Sequence, residues 1–302
     1  LSENLDDPAA GWADEHVQGD TGDAAAVTAL ARRCDVLTNE FEQVQPDVLE
    51  AAEQIPTCRV APSSRVQATC RDRREEKKLF ARGGFPHGPF APANAEAELL
   101  PAYQQLSNGG QTAVVAKTAR GGYDGKGQAW LRSEADARAI WKAMDGEPLL
   151  LEQAVPFVAE ASVIVARSPG GETRSFPMFR NEHRNGILHQ TVIPAGFGAD
   201  TEAAARRHAT GIAEQLGVVG LLAVEMFVLA DGRVWMNDLA ARPHNSGHVT
   251  LRATARSQFE LHIAAICNLP LGNGGEVADA GVESHVALLQ SAVMTNLLGD
   301  LW

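Results

Sequence analysis

Two acidic residues lie at positions from which a β-hairpin would bring them together. Glu225 and Asp238 fall within two apolar runs that are joined by Asp231-Gly232, a dipeptide typical of two-residue hairpin turns. With such a turn Val228 lies opposite Trp235, and Glu225 lies opposite Asp238. Carboxylates about 5 Å apart on neighbouring strands destabilise a sheet unless they share a proton or bind a cation, and Mg²⁺ prefers such oxygen ligands. The alternative is a longer loop that shifts the register and leaves one acid in solvent.

A glycine-rich segment follows an apolar stretch that ends at Lys117. It runs from Gly121 to Gln128 with the sequence GGYDGKGQ, so Lys126 lies among backbone N–H groups that few side chains shield. Loops of this composition bind phosphate. The spacing matches neither GxxxxGK[ST] nor GxGxxG, which argues against a P-loop or a Rossmann dinucleotide turn. The alternative is a plain turn.

A segment rich in hydrogen-bond donors, RPHNSGH, runs from Arg242 to His248. Arg242 can bind an anion through two parallel N–H groups, and the side chains of His244, Asn245 and Ser246 can hydrogen-bond a polar substrate. His244 and His248 are spaced as two zinc ligands on a helix would be, but the Pro and Gly of the segment favour a loop and no third ligand is evident. A structural loop of mutually bonded polar groups is the remaining alternative.

Four further polar residues have no role that periodicity alone assigns. Glu152 and Gln153 end an apolar strand pattern, where they either hydrogen-bond a ribose or base edge or simply end the strand. Glu160 and His183 are isolated polar residues of a kind usually found at the surface.

The elements that must position these residues alternate first as in an open α/β sheet. A helix is predicted over 24–33, a strand over 35–38 and a helix over 46–54. Glu40 and Glu42 follow the strand, where such sheets place functional groups. Because no opening apolar strand and no glycine-rich turn come first, we expect a fragment that is incomplete at its N-terminus.

From residue 72 onward the pattern is that of an α+β fold. A charged helix over 72–80 stops at Gly83-Gly84, and the prolines between 86 and 92 predict a loop and a domain boundary near 85–95. The remaining predicted elements are strands over 112–117, 149–153 and 161–166, helices over 133–144 and 203–216, and two strands within 218–239.

The composition excludes several classes of protein. The chain has 302 residues, and 26 Lys and Arg against 38 Asp and Glu give a net charge of −12, which does not attract nucleic acid or anionic lipid. The longest apolar run, 218–230, contains Glu225 and is too short for a membrane span. The acidic N-terminus is unlike a signal sequence, and the four cysteines form no CxxC pair, so we expect a cytoplasmic protein with reduced thiols.

These segments resemble the ATP-grasp superfamily and, within it, the carboxyaminoimidazole ribonucleotide synthase family. The resemblance covers nearly the whole chain, and GGYDGKGQ and RPHNSGH are its most specific segments. The matching stretches are Asp35–Glu42, Asp72-Arg73 with Lys77, Gly121–Gln128, Glu225–Phe227, Asn237–His248 and Ser257–Glu260.

The resemblance implies the fold and the domain organisation. It predicts a fold of α/β and α+β type, in which an ATP-grasp fold is preceded by an incomplete Rossmann-like domain. The expected parts are a partial N-terminal domain over 1–65, an ATP-grasp domain over 66–272 with a linker near 152–156, and the start of a further domain over 273–302.

The resemblance also implies an ATP-dependent carboxylation in purine biosynthesis. Bicarbonate attacks the γ-phosphate of ATP to give carboxyphosphate, and 5-aminoimidazole ribonucleotide then takes up the carboxyl group. Positioning and neutralisation of charge, rather than covalent catalysis, are what phosphoryl transfer requires of a protein. Mg²⁺ is the implied metal ion and a homodimer the implied assembly, with neither nucleic acid nor membrane as a partner.

The residues that match the family's sites fall into three sets. Glu225 and Asp238 match the magnesium ligands. The nucleotide set has Arg73 and Lys117 on the phosphates, residues 152–155 on adenine, Glu160 on the ribose and a glycine loop closing over the triphosphate; its members are Arg73, Lys117, Gly122, Tyr123, Asp124, Gly125, Lys126, Gly127, Gln128, Glu152, Gln153, Ala154, Val155, Glu160, His183, Asn237 and Asp238. The bicarbonate and aminoimidazole set is Glu42, Tyr123, Asp124, Arg242, His244, Asn245 and Ser246.

Three substitutions depart from the family's pattern. Asp238 stands where the family has Glu, Asn39 where it has Tyr, and Val249 where it has an aromatic residue. The shorter carboxylate predicts weaker metal coordination. The family's C-terminal segment also has no counterpart before Trp302, so we expect substrate-binding groups to be missing. Two alternatives follow: another ATP-grasp ligase with a different acceptor, or a nucleotide-binding module without turnover.

Overall fold

The computed structural model describes residues 1–122, 127–272, 285–297 and 299. The helices of these residues are α1 (Ala24–Ala31), α2 (Pro46–Glu53), α3 (Ser64–Cys70), α4 (Arg73–Gly83), α5 (Glu96–Leu106), α6 (Glu134–Ala143), α7 (Ala199–Leu216), α8 (Thr250–Ala253) and α9 (Gln258–Ile266), with 3₁₀ turns at Ala10–Trp12 and Asn245–Val249. The strands are β1 (Val36–Leu37), β2 (Arg59–Val60), β3 (Phe90–Ala93), β4 (Val114–Thr118), β5 (Gln128–Leu131), β6 (Leu149–Gln153), β7 (Phe157–Arg167), β8 (Thr173–Ser175), β9 (Phe179–Arg184), β10 (Ile187–Ile193), β11 (Gly220–Leu229), β12 (Val234–Ala240) and β13 (Ala292–Thr295).

The strands form three sheets. β1 and β2 pair in parallel within the N-terminal unit. An antiparallel sheet of four strands has the order β3-β6-β4-β5, and a larger antiparallel sheet has the order β12-β11-β7-β9-β10-β13, with β8 paired to β7. The combination of a parallel unit and antiparallel sheets confirms the predicted mixture of α/β and α+β structure.

Helices cover both faces of the large sheet, which explains its long apolar strands. Alternate residues of β7 and β11 pack with α7, whose small apolar residues recur on one side at Ala205, Ala209, Ile212 and Leu216. The residues between them pack on the opposite face with α8 and α9. Because both faces are buried, these strands show continuous rather than alternating hydrophobicity.

The small sheet and the N-terminal unit each have a core of their own. α5 and α6 pack on the small sheet, and α1 and α2 pack around β1. The helix predicted over 72–80 is α4, which begins after the N-cap Asp72 and ends at Gly84, whose φ of 69° is the left-handed conformation that glycine adopts at helix ends.

The structure corrects three predictions about elements. The proline-rich loop near 85–95 contains strand β3, with Pro92 opposite Leu150. A proline fits there because β3 is an edge strand of its sheet, so one of its sides needs no N–H donor. β7 begins at Phe157 rather than 161, and α7 begins at Ala199 rather than 203.

The hairpin between β11 and β12 also differs from the prediction near its turn. Val228 pairs with Val234, not with Trp235, because the loop between Leu229 and Arg233 holds three residues. A β-bulge at Asn237 then restores the lost position, so Glu225 does pair with Asp238. The predicted carboxylate pair is confirmed, although the turn that was used to predict it is one residue too short.

Candidate functional site

A cleft of about 410 Å³ opens between the small sheet and one end of the large sheet. Its wall contains nearly all the predicted site residues that the structure describes: Glu42, Arg73, Lys117, Gly122, Gly127, Gln128, Glu152, Gln153, Ala154, Val155, Glu160, His183, Glu225, Asn237, Asp238, Arg242, His244 and Asn245. Tyr123, Asp124, Gly125 and Lys126 lie outside the described residues. The fold therefore brings together residues up to 203 positions apart in the sequence (245 minus 42).

A buried carboxylate lies between two ammonium groups at one wall of the cleft, where Glu152 and Lys117 line the wall and Lys77 lies buried behind it. Glu152, on β6, pairs with Lys77 of α4 and with Lys117 of β4, each at 2.9 Å. Burial alone would raise the pKa of Glu152, but the charges of Lys117 and Lys77 lower it to about 2. In the opposite sense burial would lower the pKa of Lys117, and Glu152 raises it. The charge of Glu152 thus favours the cationic form of Lys117, and two lysines around one carboxylate leave this part of the site net positive.

The role predicted for the Glu152 side chain therefore changes. Its carboxylate is engaged by two lysines and not directed at a base or ribose edge. The Gln153 side chain likewise turns to the backbone, where its Nε2 donates to the Leu106 carbonyl at 3.1 Å. What residues 152–155 can offer a base is their backbone and the neighbouring apolar surface.

An acidic wall lies across from the lysines, at the hairpin of β11 and β12. Burial, and then the charge of Asp238, raise the pKa of Glu225 to about 7. Burial and Asp238 likewise raise the pKa of Glu76, on α4, well above its usual value, and the Glu76 Oε1 accepts a bond of 2.9 Å from the Leu239 N–H. The pKa of Asp238 is lowered because Arg73 and Lys117 outweigh the effect of its burial. The carboxyl group of Asp238, whose pKa is lowered, therefore lies beside those of Glu225 and Glu76, whose pKa values are raised.

Arg73 lines the cleft, and its guanidinium is bonded to the glycine loop. Its guanidinium donates to the carbonyl oxygens of Thr118, Gly121 and Gly122 at 2.6 to 2.9 Å. Arg73 thus fixes the start of the loop and places its own positive charge beside the cleft.

Two further side-chain pairs line the cleft. The His183 Nδ1 lies 2.7 Å from a carboxylate oxygen of Glu160, so two residues that periodicity places at the surface form one pair. Arg242 donates to Glu42 through Nε at 3.2 Å and Nη2 at 2.6 Å. The second pair joins the N-terminal unit to the segment that follows β12.

His244 and Ser246 differ in what they face. The His244 Nε2 lies 3.6 Å from Glu225 Oε1, and burial followed by the charge of Arg242 lowers its pKa to about 3. Ser246 is fully buried and bonds His244 Nδ1 at 2.9 Å and the Ser162 hydroxyl at 2.8 Å. The Ser246 hydroxyl therefore lies behind His244 and does not line the cleft, and its contact with substrate stays a prediction.

Sequence reasoning missed two kinds of contributor. Glu76 and the Lys77 ammonium come from α4, where positions 73, 76, 77 and 80 share one helix face, and the buried Phe80 on that face was the available signal. Phe157 and Phe227 stack at 4.6 Å between centroids on the cleft wall. Asn237 was predicted as a site residue, but its two lysine contacts come from the bulge, which the predicted two-residue turn did not include.

Within the described residues, no group of three or more His, Cys, Asp or Glu side chains could hold a metal ion. A metal at Glu225 and Asp238 would therefore need ligands from a bound molecule. Among those same residues, no helix is long and apolar enough to cross a membrane.

A cleft between two antiparallel sheets, with cations on one wall and paired carboxylates on the other, defines the ATP-grasp class. Family models agree: residues 78–259 match the ATP-grasp domain, and residues 1–70 match the ribonucleotide synthetase preATP-grasp domain. The chain is 37% identical over 295 residues to the N5-carboxyaminoimidazole ribonucleotide synthase of Bacillus subtilis, covering 98% of this chain and 73% of that protein. The enzyme of the same name from Pseudomonas aeruginosa is 35% identical, with 95% and 77% covered. The chain belongs to the N5-carboxyaminoimidazole ribonucleotide synthase family, and as a member it is an ATP-dependent ligase.

Solved structures give the same assignment. The N5-carboxyaminoimidazole synthetase of Staphylococcus aureus complexed with ADP matches with a TM-score of 0.87 and 30% identity, over 99% of this chain and 75% of that one. The synthase of Aspergillus clavatus in complex with ADP and 5-aminoimidazole ribonucleotide matches with a TM-score of 0.82 and 27% identity, over 96% and 73%.

Proposed function

We propose that this chain carboxylates 5-aminoimidazole ribonucleotide at its amino group, using ATP and bicarbonate. The observation that supports this best is the meeting, in one cleft, of a lysine-rich wall, a carboxylate pair and the Arg242–His244 segment. The lysine-rich wall and the carboxylate pair suit a nucleoside triphosphate with its metal ion. The third offers donors for a second, anionic substrate.

ATP would lie with its phosphates toward the lysines and its base toward the aromatic wall. Lys117 and the charges of Arg73 and the buried Lys77 would neutralise phosphate oxygens, and the positions of these groups are already fixed by Glu152 and by the loop backbone. Residues 152–155 and the stacked Phe157 and Phe227 would receive adenine, and Glu160 with His183 the ribose. Preformed charges of this kind stabilise a transition state without reorganising during the reaction.

Mg²⁺ fits the residues that would hold it. Glu225 and Asp238 face each other across two strands, and their mutual repulsion, which contributes to the raised pKa of Glu225, is relieved by a cation. One or two carboxylates plus substrate phosphates are the usual ligand set of Mg²⁺. When bound, the ion would supply charge neutralisation on the phosphates.

The reaction then proceeds in two transfers. A bicarbonate oxygen forms a bond to the γ-phosphorus of ATP as the bond to ADP breaks, giving carboxyphosphate. The substrate amine forms a bond to the carboxyl carbon, phosphate leaves with the electron pair, and the amine proton is released. Arg242 and His244 would orient the acceptor side; Tyr123 and Asp124, from the part of the glycine loop that the structure does not describe, are proposed for the same side.

The first experiment is ADP release by the purified chain with Mg²⁺, ATP and bicarbonate, with and without 5-aminoimidazole ribonucleotide. We expect the ribonucleotide to stimulate ADP release, and Asp238→Asn to abolish the stimulation. Binding of ATP without ADP release would contradict the proposal and favour a nucleotide-binding module. Stimulation by another amine acceptor instead would favour a different ATP-grasp ligase.

We further propose a cytoplasmic homodimer, on the basis of the family resemblance. Sedimentation of the purified chain at several concentrations tests the assembly, and a monomer throughout would contradict it.

A further inference from the structure

A row of buried polar side chains leads through the large sheet to His244. The Thr191 hydroxyl lies 3.2 Å from Asn181 Oδ1, the Asn181 amide 3.0 Å from the Ser162 hydroxyl, and Ser162 2.8 Å from Ser246. Ser246 in turn lies 2.9 Å from His244 Nδ1. Thr191, Ser162 and Ser246 have no exposed surface and Asn181 has 6%. Burial of polar groups costs free energy unless they are hydrogen-bonded, and each member of this row bonds the next.

The Asn181 amide fixes the direction of the first two bonds, because its oxygen can only accept from the Thr191 hydroxyl and its nitrogen can only donate to Ser162. Only the bonds of the Ser162 and Ser246 hydroxyls can run in either of two directions, toward His244 Nδ1 or away from it. The Ser246 backbone N–H decides between them, because it points at the same Nδ1, at 3.4 Å. An N–H can only donate, so Nδ1 must accept, and the row runs from Thr191 toward the histidine.

A histidine whose Nδ1 accepts has its proton on Nε2. The His244 Nε2 lies on the cleft side of the ring, 3.6 Å from Glu225 Oε1. The register explains how remote strands achieve this, because Ser162 on β7 lies opposite Glu225 on β11, and Asn181 on β9 lies opposite Thr191 on β10. The row and the acidic wall thus share one face of the sheet.

We propose that Thr191, Asn181 and Ser162 are positioning residues that fix the proton of His244 on Nε2, so that the ring presents this N–H as a hydrogen-bond donor to the anion bound beside Glu225. The part of this proposal that concerns turnover rests on the proposed function. The part that concerns the tautomer does not.

The test reads the tautomer directly, from the two imidazole ¹⁵N resonances of His244 in the full chain labelled with ¹⁵N-histidine and without substrates. The signal is assigned by its loss in His244→Asn. We expect the wild type to show a protonated Nε2 and an unprotonated Nδ1. We expect Ser162→Ala and Thr191→Val to move both resonances toward their average, and Thr191→Ser, which keeps the hydroxyl, to restore the wild-type pattern.

A matched control comes from Ser175, on β8 of the same sheet. Its buried hydroxyl has no hydrogen-bond partner among the described residues, so Ser175→Ala should leave both resonances unchanged. A protonated Nδ1 in the wild type would overturn the proposal, as would an unchanged tautomer in folded Thr191→Val.

Turnover provides the second measurement. Loss of one aligned hydrogen bond, about 1 kcal/mol, should lower kcat about fivefold in Ser162→Ala while the KM for ATP stays unchanged. A shifted tautomer with full kcat would show that the donor is not used on the substrate. If the wild type released no ADP, the proposed function would fail, yet the resonances would still decide the tautomer.

Discussion

Glu152 shows how a single side chain sets the charge of the nucleotide wall. Its carboxylate neutralises half of the charge that Lys77 and Lys117 bring into the interior, and all three side chains are at least 85% shielded from solvent. The sequence pattern correctly placed Glu152 at the end of a strand but could not show its partners, because one comes from 75 residues upstream and the other from 35 (152 minus 77 and 152 minus 117). Contacts of this range have no local signal.

Replacing Glu152 tests this arrangement. Glu152→Gln leaves two buried ammonium groups without a counter-charge, so the free energy of unfolding should fall by about 3 to 5 kcal/mol. The control is Glu75→Gln, which breaks a half-exposed pair with Lys78 and should cost less than about 1 kcal/mol. Urea unfolding of both variants measures the difference. Equal losses of unfolding free energy in the two variants would show that the buried ion pairs stabilise the fold no more than the half-exposed pair does.

Glu152 also makes the free energy of unfolding depend on pH in the acidic range. Because the pKa of Glu152 is lowered to about 2 in the folded chain from 4.5, its contribution is present above pH 4.5 and is lost as the pH falls toward 2. The stability gap between the wild type and Glu152→Gln should therefore narrow between about pH 5 and pH 3. Chemical unfolding at each pH measures it, and a constant gap would rule this explanation out.

At the level of elements, α9 holds the segment that contains His244. The side-chain amide of Gln258, the first residue of α9, accepts from the His244 N–H at 2.9 Å and donates to the His244 carbonyl at 2.8 Å. The helix start is fixed by a capping box in which Ser257 and Glu260 bond each other's backbone N–H groups. The cap therefore positions a cleft residue that it does not touch.

Two capping boxes allow this to be tested. Ser257→Ala and Ser133→Ala, at the start of α6, should each lower the free energy of unfolding by about 1 kcal/mol. Only Ser257→Ala should also slow turnover, because Gln258 of α9 bonds the backbone of His244, which lines the cleft. Equal turnover in the two variants would contradict a positioning role for α9.

The sequence predicted an element correctly where neighbouring residues determine it, and missed it where contacts with distant parts of the chain do. The α4 stop at Gly84 and the pairing of Glu225 with Asp238 were predicted correctly. The strand around Pro92 was missed, because proline is tolerated only where the tertiary structure leaves one side of a strand without a neighbour. The bulge at Asn237 did have a local signal: Val234, Met236, Leu239 and Ala241 all face one core, which requires the alternation to skip one position.

On the scale of the whole molecule, the cleft is built by parts that have separate cores. β4 and β6 belong to the small sheet, β11 and β12 to the large one, and Glu42 to the N-terminal unit. A ligand that touches all of these parts should stabilise them together. Family resemblance gave this arrangement from the sequence, whereas periodicity alone gave only the elements.

Nucleotide binding should accordingly raise the stability of the whole chain. At one hundred times its dissociation constant, Mg·ATP should add about 2.7 kcal/mol to the free energy of unfolding in a single transition. With Glu225→Gln the increase obtained by adding Mg²⁺ to ATP should disappear, while ATP alone should still bind the lysines. Thermal unfolding with ATP, with and without Mg²⁺, measures both, and an equal magnesium effect in the variant would remove Glu225 from the metal site.

The bulge in β12 also determines where this chain can tolerate a change of length. Asn237 is the one residue of that strand without a position in the ladder with β11, so its removal would leave Met236 opposite Met226 and Asp238 opposite Glu225. Removal of Leu239 would instead turn every later residue to the opposite face. A chain without Asn237 should therefore keep its carboxylate pair and its fold while losing the carbonyl that Lys77 contacts at 2.9 Å. The register of the hairpin therefore does not depend on Asn237. This residue lies between the Glu225–Asp238 pair and Lys77, where the acidic and basic walls meet.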